Sequence, residues 1–146
     1  RQRQMCIRDS IKTVVQQGCP TVDIDSKFYD VAKALARTDS GTLIVVDSVE
    51  RVVGILSERD IVRYFSLEKN IEDCTTKNLM TSTVISANQD VTSSGLMEMM
   101  VQNNIRHVPI MDGGNLLGLV SITDVIKRLL DKQLTEAELM KDFINS

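Results

Sequence analysis

Two stretches of the chain share one pattern of apolar and polar positions. Val52-Val53-Gly54-Ile55-Leu56 is a strand-sized apolar run that stops at Ser57. It continues into Glu58-Arg59-Asp60-Ile61-Val62-Arg63, where the apolar residues return at helical spacing. Leu116-Leu117-Gly118-Leu119-Val120, then Ser121-Ile122-Thr123-Asp124-Val125-Ile126-Lys127, repeats the arrangement. Gly54 and Gly118, Ser57 and Ser121, and Asp60 and Asp124 are each 64 positions apart (118−54, 121−57, 124−60). Three matches at one offset, set in matching apolar runs, mark an internal duplication.

The remaining elements follow in order. Ile11, Val14 and Val15 predict a short helix stopped by Gly18 and Pro20. Thr21-Val22-Asp23-Ile24 alternates as a short strand. Asp25 or Ser26 can cap a helix whose apolar face is Phe28, Val31, Ala32, Leu35 and Ala36. Thr42-Leu43-Ile44-Val45-Val46-Asp47 is too uniformly apolar for a half-exposed strand, which predicts burial on both faces. Ser48–Arg51 form a turn, Val52–Leu56 a strand, and the helix from Ser57 runs through Ile61, Val62 and Phe65. Leu67–Asn78 is polar and aperiodic and reads as a linker.

The order then recurs. Val84-Ile85 is the expected short strand, and a helix near Thr92–Asn103 carries Leu96, Met97, Met99 and Met100. Ile105–Met111 leads into the second buried strand, and Asp112-Gly113-Gly114-Asn115 makes the hairpin turn. Leu116–Val120 is the next strand, and the helix from Ser121 reaches about Gln133. Thr135-Glu136-Ala137-Glu138 reads as a capping box opening a separate terminal helix. The expected organisation is a leader over 1–6 that is non-native or disordered, a first repeat over 7–69, a linker over 70–79, a second repeat over 80–134 and a helical tail over 135–146. The fold class is α+β: two β-α-β-β-α repeats. Each has about 60 residues, marginal alone, so their sheets should pack together as a pseudo-twofold pair.

Composition narrows the functions. Hydrophobic residues make up 42% and charged residues 25% of the 146, as in a folded globular protein. Aromatics are 3% and the net charge is −3, which disfavours base stacking and phosphate-backbone binding, so nucleic acid is not an expected partner. The apolar runs are too short to span a membrane, and with no secretory leader the expected location is cytoplasmic. Cys6, Cys19 and Cys74 lack metal or disulfide spacing. No nucleophile elbow, phosphate-cradling glycine loop or zinc motif is present, so neither catalytic nor metal-binding residues are assigned and no enzyme is expected.

Candidate chemistry lies at the two Ser-x-x-Asp positions. Ser57 with Asp60, and Ser121 with Asp124, can form capping boxes, in which case both residues only start a helix. The same geometry can bind a ligand. A helix start offers N–H groups to an anion, and a nearby carboxylate can accept from both hydroxyls of a ribose. The only histidine, His107, makes neither a metal site nor a catalytic triad by itself.

A Gly, two aliphatics, a Ser and an Asp three residues on, twice in tandem, resembles the cystathionine-β-synthase (CBS) domain pair, or Bateman module. Arg106-His107-Val108-Pro109-Ile110 followed by Asp112-Gly113-Gly114 strengthens the likeness. It covers roughly Ile7–Leu134 and is strongest to small stand-alone bacterial pairs. The resemblance implies a regulatory module that binds AMP, ADP, ATP or another adenosyl ligand such as NADH or S-adenosylmethionine, with no obligatory cofactor. It also implies homodimers formed through helices next to the clefts, with a protein partner unknown. It implies that Asp60 and Asp124 hold ribose, and that Ser57 and Ser121 lie near ribose or phosphate. Thr21 and Val22, or Thr83 and Val84, would bracket adenine, and Pro109 would close toward the ligand. One expected cleft thus contains Thr21, Val22, Gly41, Thr42, Ser57, Arg59 and Asp60. The other contains Thr83, Val84, Arg106, His107, Pro109, Ser121, Thr123 and Asp124. Arg106 and His107 stand where the first half has Gly41 and Thr42, so the second cleft is the better match to a phosphate. Two alternatives remain: a ligand-free interaction module, or a regulatory piece of a larger enzyme or transporter.

Overall fold

The computed structural model describes residues 20–67 and 70–145. The leader, the helix expected around Ile11–Val15, and Cys6 and Cys19 lie outside the described residues. Two compact units are present. The first extends to Ser86 and includes Gly114–Leu116, and the second is built from Ala87–Gly113 and from Leu117 onward. Each repeat contributes one three-stranded sheet and its helices, the α+β class that the apolar pattern predicts.

In the first unit the order is β1 (Thr21–Asp23), α1 (Phe28–Ala36), β2 (Thr42–Val46), β3 (Val52–Ser57) and α2 (Glu58–Ser66). β2 is central, parallel to β1 and antiparallel to β3, with Thr42 opposite Ser57. Thr42 to Val45 are all buried, as the unbroken apolar run requires. Leu43 and Val45 join Val22, Val31, Leu35 and Leu56 in an aliphatic core. On α2 the buried residue is Tyr64, whereas Val62 is 68% exposed and Phe65 42% exposed, contrary to the expected face. The Tyr64 hydroxyl donates to the Asn70 carbonyl at 3.1 Å, so the ring can be buried with its polar end satisfied. Phe65 meets Phe28 edge-on at 5.6 Å.

The stretch read as a linker is part of the first unit. Thr76–Leu79 forms a single turn, α3, in which the Asn78 side-chain oxygen Oδ1 accepts from the Thr75 amide and hydroxyl, each at 3.0 Å. The Phe28 amide donates to the Cys74 carbonyl at 3.1 Å, and the Thr76 and Lys77 amides donate to the Ser26 and Ile24 carbonyls at 2.9 and 3.2 Å. Cys74, Thr76 and Leu79 are buried as a result, and burial pushes the Cys74 thiol above its ordinary range. Periodicity missed this segment because its order comes from backbone pairing with a distant loop. Beyond it, Thr81 exchanges two hydrogen bonds with Ile55 at 2.8 and 3.0 Å. That close approach needs Gly54, where a Cβ would stand 2.6 Å from the Met80 sulfur and 3.0 Å from the Thr81 carbonyl oxygen.

The second repeat runs β4 (Ala87–Asn88), α4 (Ser93–Asn103), β5 (His107–Asp112), β6 (Asn115–Ser121) and α5 (Ile122–Asn145). Its sheet has the order β4-β5-β6, with β4 parallel to β5 and Ala87 opposite Ile110. Leu96, Met100, Val108, Ile110, Val120 and Val125 form its core, with Met97 and Met99 packed against them. Two expectations are corrected here. The short strand is Ala87–Asn88, not Val84-Ile85, because its position follows the turn after it. The Asp90 amide donates to Asn88 Oδ1 at 3.0 Å, just as the Asp25 amide donates to Asp23 Oδ1 at 2.8 Å. The structural counterparts of Thr21 and Val22 are therefore Ser86 and Ala87 rather than Thr83 and Val84. The expected terminal helix is also not separate, because α5 continues without a break to Asn145. The Thr135 hydroxyl donates to the Asp131 carbonyl one turn back, at 2.9 Å, and so sits inside the helix instead of capping a new one.

Gly54→Ala should lower stability by about 1–3 kcal/mol, because the added methyl is forced against Met80 and the Thr81 backbone. Urea unfolding of the two chains measures this, and an unchanged midpoint would contradict the close approach.

Candidate functional site

Each repeat brings the start of its last helix against the start of its central strand through one equivalent hydrogen bond. The Glu58 amide donates to the Gly41 carbonyl at 3.1 Å, and the Ile122 amide donates to the Arg106 carbonyl at 2.8 Å. Gly41 and Arg106 are thus structural counterparts, as are Thr42 and His107. The expected clustering of Gly41, Thr42, Ser57 and Asp60 in one repeat, and of Arg106, His107, Ser121 and Asp124 in the other, follows from this contact.

Both carboxylates turn back onto their own serines. Asp60 Oδ2 accepts from the Ser57 amide at 2.8 Å and from its hydroxyl at 3.3 Å. Asp124 Oδ2 accepts from the Ser121 amide at 3.2 Å and hydroxyl at 2.9 Å, and the Asp124 amide donates to Ser121 Oγ at 3.2 Å. Helix capping is therefore one role these residues perform. Asp60 Oδ1 also faces the Arg63 guanidinium at 3.5 Å, whereas the capping bonds of Asp124 run through Oδ2.

The second-repeat group is electrostatically coupled. Burial lowers the His107 imidazole below its ordinary 6.5; the Asp124 carboxylate acts in the opposite sense, and the Arg106 guanidinium adds to the lowering. Arg106 and Thr123 are exposed, and Ser121 and Asp124 are half-buried. Pro109 lies inside β5, buried, on the His107 side of the strand by alternation and opposite the core residues Val108 and Ile110. Thr83 and Val84 lie before β4, within the first unit.

In the first repeat Val22 is a core residue, Thr21 is exposed, and Thr42 is only 3% exposed. Arg59 is exposed on α2. One neighbour was missed by the sequence reading. The Glu58 side chain lies over Gly41, its Cδ and Oε1 each 2.9 Å from where a Cβ would stand, and Gly41 has a φ of +67°. An acid at the first helical position was visible in the sequence, but its direction was not. Among the described residues, no group of three or more His, Cys, Asp or Glu side chains is arranged to hold a metal ion, and no helix is long and apolar enough to cross a membrane.

The family model for the CBS domain matches residues 11–67 and 76–131. An uncharacterized 17.7 kDa protein of Acidianus ambivalens is 39% identical over 103 residues, 70% of this chain and 62% of the relative. Inosine-5′-monophosphate dehydrogenase of Methanocaldococcus jannaschii is 32% identical over 118 residues, 79% of this chain and 22% of the enzyme. The chain thus spans only about a fifth to three fifths of the curated relatives it matches. Among solved structures, the CBS-domain-containing protein ATU1752 of Agrobacterium tumefaciens superimposes with a TM-score of 0.70 at 31% identity, covering 77% of this chain and 84% of that one. The CBS domain pair of protein MJ0100, in complex with 5′-methylthioadenosine and S-adenosyl-L-methionine, gives 0.75 at 26% identity, covering 85% and 97%. The chain belongs to the CBS-domain family and carries two of its repeats.

Asp124→Asn should lower the pKa of His107 further, since it deletes the group that raises it. The capping box should survive, because Asn78 fills the same position in α3. As His107 is the only histidine, its proton resonances report the shift directly; an unchanged titration would show that the two groups are not coupled. A folded-state pKa below the unfolded 6.5 also means that stability from this group is lost as pH falls below 6.5.

Proposed function

We propose that this member of the CBS-domain family is a regulatory module without catalytic activity. It binds an adenosine nucleotide at its Ser-x-x-Asp helix starts and passes occupancy to a partner or to its own dimer. The observation that carries the reading is the second-repeat group. The Ile122–Arg106 backbone bond joins the start of the strand, which carries the cation Arg106, to the helix start, which carries the Asp124 carboxylate, the Ser121 hydroxyl bonded to it and the exposed Thr123. A ribose phosphate has the complementary layout: an anion for the guanidinium and helix start, and a diol for the carboxylate. The adenosyl compounds bound by the MJ0100 pair support the ligand class. AMP, ADP and ATP suit Arg106 best, with NADH and S-adenosylmethionine as alternatives in the same titration. Occupancy can shift a partner's affinity only as far as the ligand prefers one state over the other.

The same reading includes a cytoplasmic homodimer. Among the described residues, exposed apolar side chains stand on each of the four helices longer than one turn: Tyr29 on α1, Val62 on α2, Val101 on α4, and Ile126, Leu130 and Leu134 on α5. A second reading, a ligand-free docking module, is favoured by the capping boxes, which account for Ser57, Asp60, Ser121 and Asp124 without a ligand.

AMP at 100 times its dissociation constant should stabilise the protein by about 2.7 kcal/mol in thermal melts. Asp124→Asn should weaken AMP binding about tenfold to a hundredfold by calorimetry, the loss expected for a hydrogen bond to a charged group, with circular dichroism unchanged. Flat melts with every adenosyl ligand would favour the docking module. Leu130→Glu with Leu134→Glu should convert the dimer to monomer in sedimentation; a chain already monomeric would remove the dimer from the reading.

A further inference from the structure

Building on the adenosine-nucleotide reading, we infer that the two repeats select opposite charge at the ligand's 5′ position. The first repeat takes a neutral or cationic adenosyl compound and turns away a phosphate; the second takes the phosphorylated form. The argument starts from the backbone bond that makes Gly41 and Arg106 counterparts, and with them Glu58 and Ile122. Arg106, whose own carbonyl accepts from the Ile122 amide, brings an exposed guanidinium to the second-repeat junction, close enough to act on His107. At the matching place the first repeat has no side chain. The Glu58 carboxylate fills that space instead, with Oε1 2.9 Å from the position a Cβ would take. Ile122, which stands where Glu58 does, carries no charge.

The rest of the first-repeat group does not offset this carboxylate. Asp60 adds a second acid two residues along, and Arg63 is paired with it at 3.5 Å. Arg59, which follows Glu58 and stands where the second repeat has Thr123, is exposed on α2 and forms no ion pair with Glu58 among the described residues. Thr42 is buried where the second repeat has the half-buried imidazole of His107. The first helix start carries two carboxylates, Glu58 and Asp60, where the second carries only Asp124, so the positive end of the dipole that would attract an anion is more fully offset in the first repeat. A phosphate of charge near −2 would therefore meet like charge at Glu58 and opposite charge at Arg106.

The test uses the full chain, labelled with nitrogen-15, and three ligands that differ only at the 5′ position. Adenosine is neutral there, AMP negative, and 5′-amino-5′-deoxyadenosine positive. The amides of Gly41 and Ser57 report the first repeat, and those of His107 and Ser121 the second. Adenosine and the amine should shift the first set more tightly than AMP does, and AMP should shift the second set most tightly. Glu58→Gln should tighten AMP at Gly41 by about fivefold and weaken the amine by a similar factor, as for a partly exposed charge pair. Glu58 is exposed, so the variant should fold normally. AMP as tight as adenosine at Gly41, or an AMP-to-adenosine ratio unmoved by Glu58→Gln, would overturn the proposal. Binding of all three ligands confined to the second repeat would also overturn it while leaving the adenosine reading intact. Silence at both sets of amides would remove the adenosine reading and the proposal together.

Discussion

The structure turns on one backbone contact made twice. In each repeat, the first amide of the last helix donates to the carbonyl just ahead of the central strand. A helix start has four amides without helical partners, and this bond satisfies one of them with tertiary structure rather than water. It pins the positive end of the helix beside the beginning of the strand. The Ser-x-x-Asp box then holds the serine in extended geometry, so the strand can turn directly into the helix. Sheet, helix and candidate site are thus consequences of the same junction, and a change there would disturb all three.

Duplication supplied two copies of that junction, and the side chains around them have since diverged. The backbone tolerates this because the pinning bond uses only main-chain groups, leaving positions 41, 58, 106 and 122 open to any residue the local φ allows. Gly41 sits at positive φ, where glycine is favoured, and a side chain there would also displace Glu58. Arg106 has neither restriction. One fold therefore carries two junctions that differ in charge, with Glu58 over Gly41 in the first and Arg106 in the second, and in the size of the strand residue, Thr42 against His107.

The capping role of Asp60 and Asp124 and a ligand-binding role are compatible. A carboxylate has two oxygens, and the capping bonds run through Oδ2 in both cases. Capping orients the group, which spares a ligand the entropic cost of ordering it. In the first repeat the ion pair with Arg63 engages Oδ1 as well, a further difference between the two junctions.

Much of this was readable in the residues themselves. Gly54, Ser57 and Asp60 matched against Gly118, Ser121 and Asp124 disclosed the repeat. The unbroken run Thr42–Val46 disclosed a doubly covered strand, and Gly113-Gly114 disclosed the hairpin. These are local facts, governed by period, chirality and capping, and a short window contains them. What the window could not contain depended on partners far away in the chain. The burial of Cys74, Thr76 and Leu79 comes from hydrogen bonds to Ile24, Ser26 and Phe28, some fifty residues upstream, as the span of 50 between Thr76 and Ser26 shows. The position of β4 at Ala87 comes from its pairing with Ile110. The continuity of α5 past Thr135 needed the fate of one hydroxyl. Glu58 became relevant only when the fold laid it over Gly41. The sequence by itself determined the repeat, the elements and the chemical types at each junction; the tertiary structure alone decided which charges face one another, because direction is set by packing and not by order along the chain.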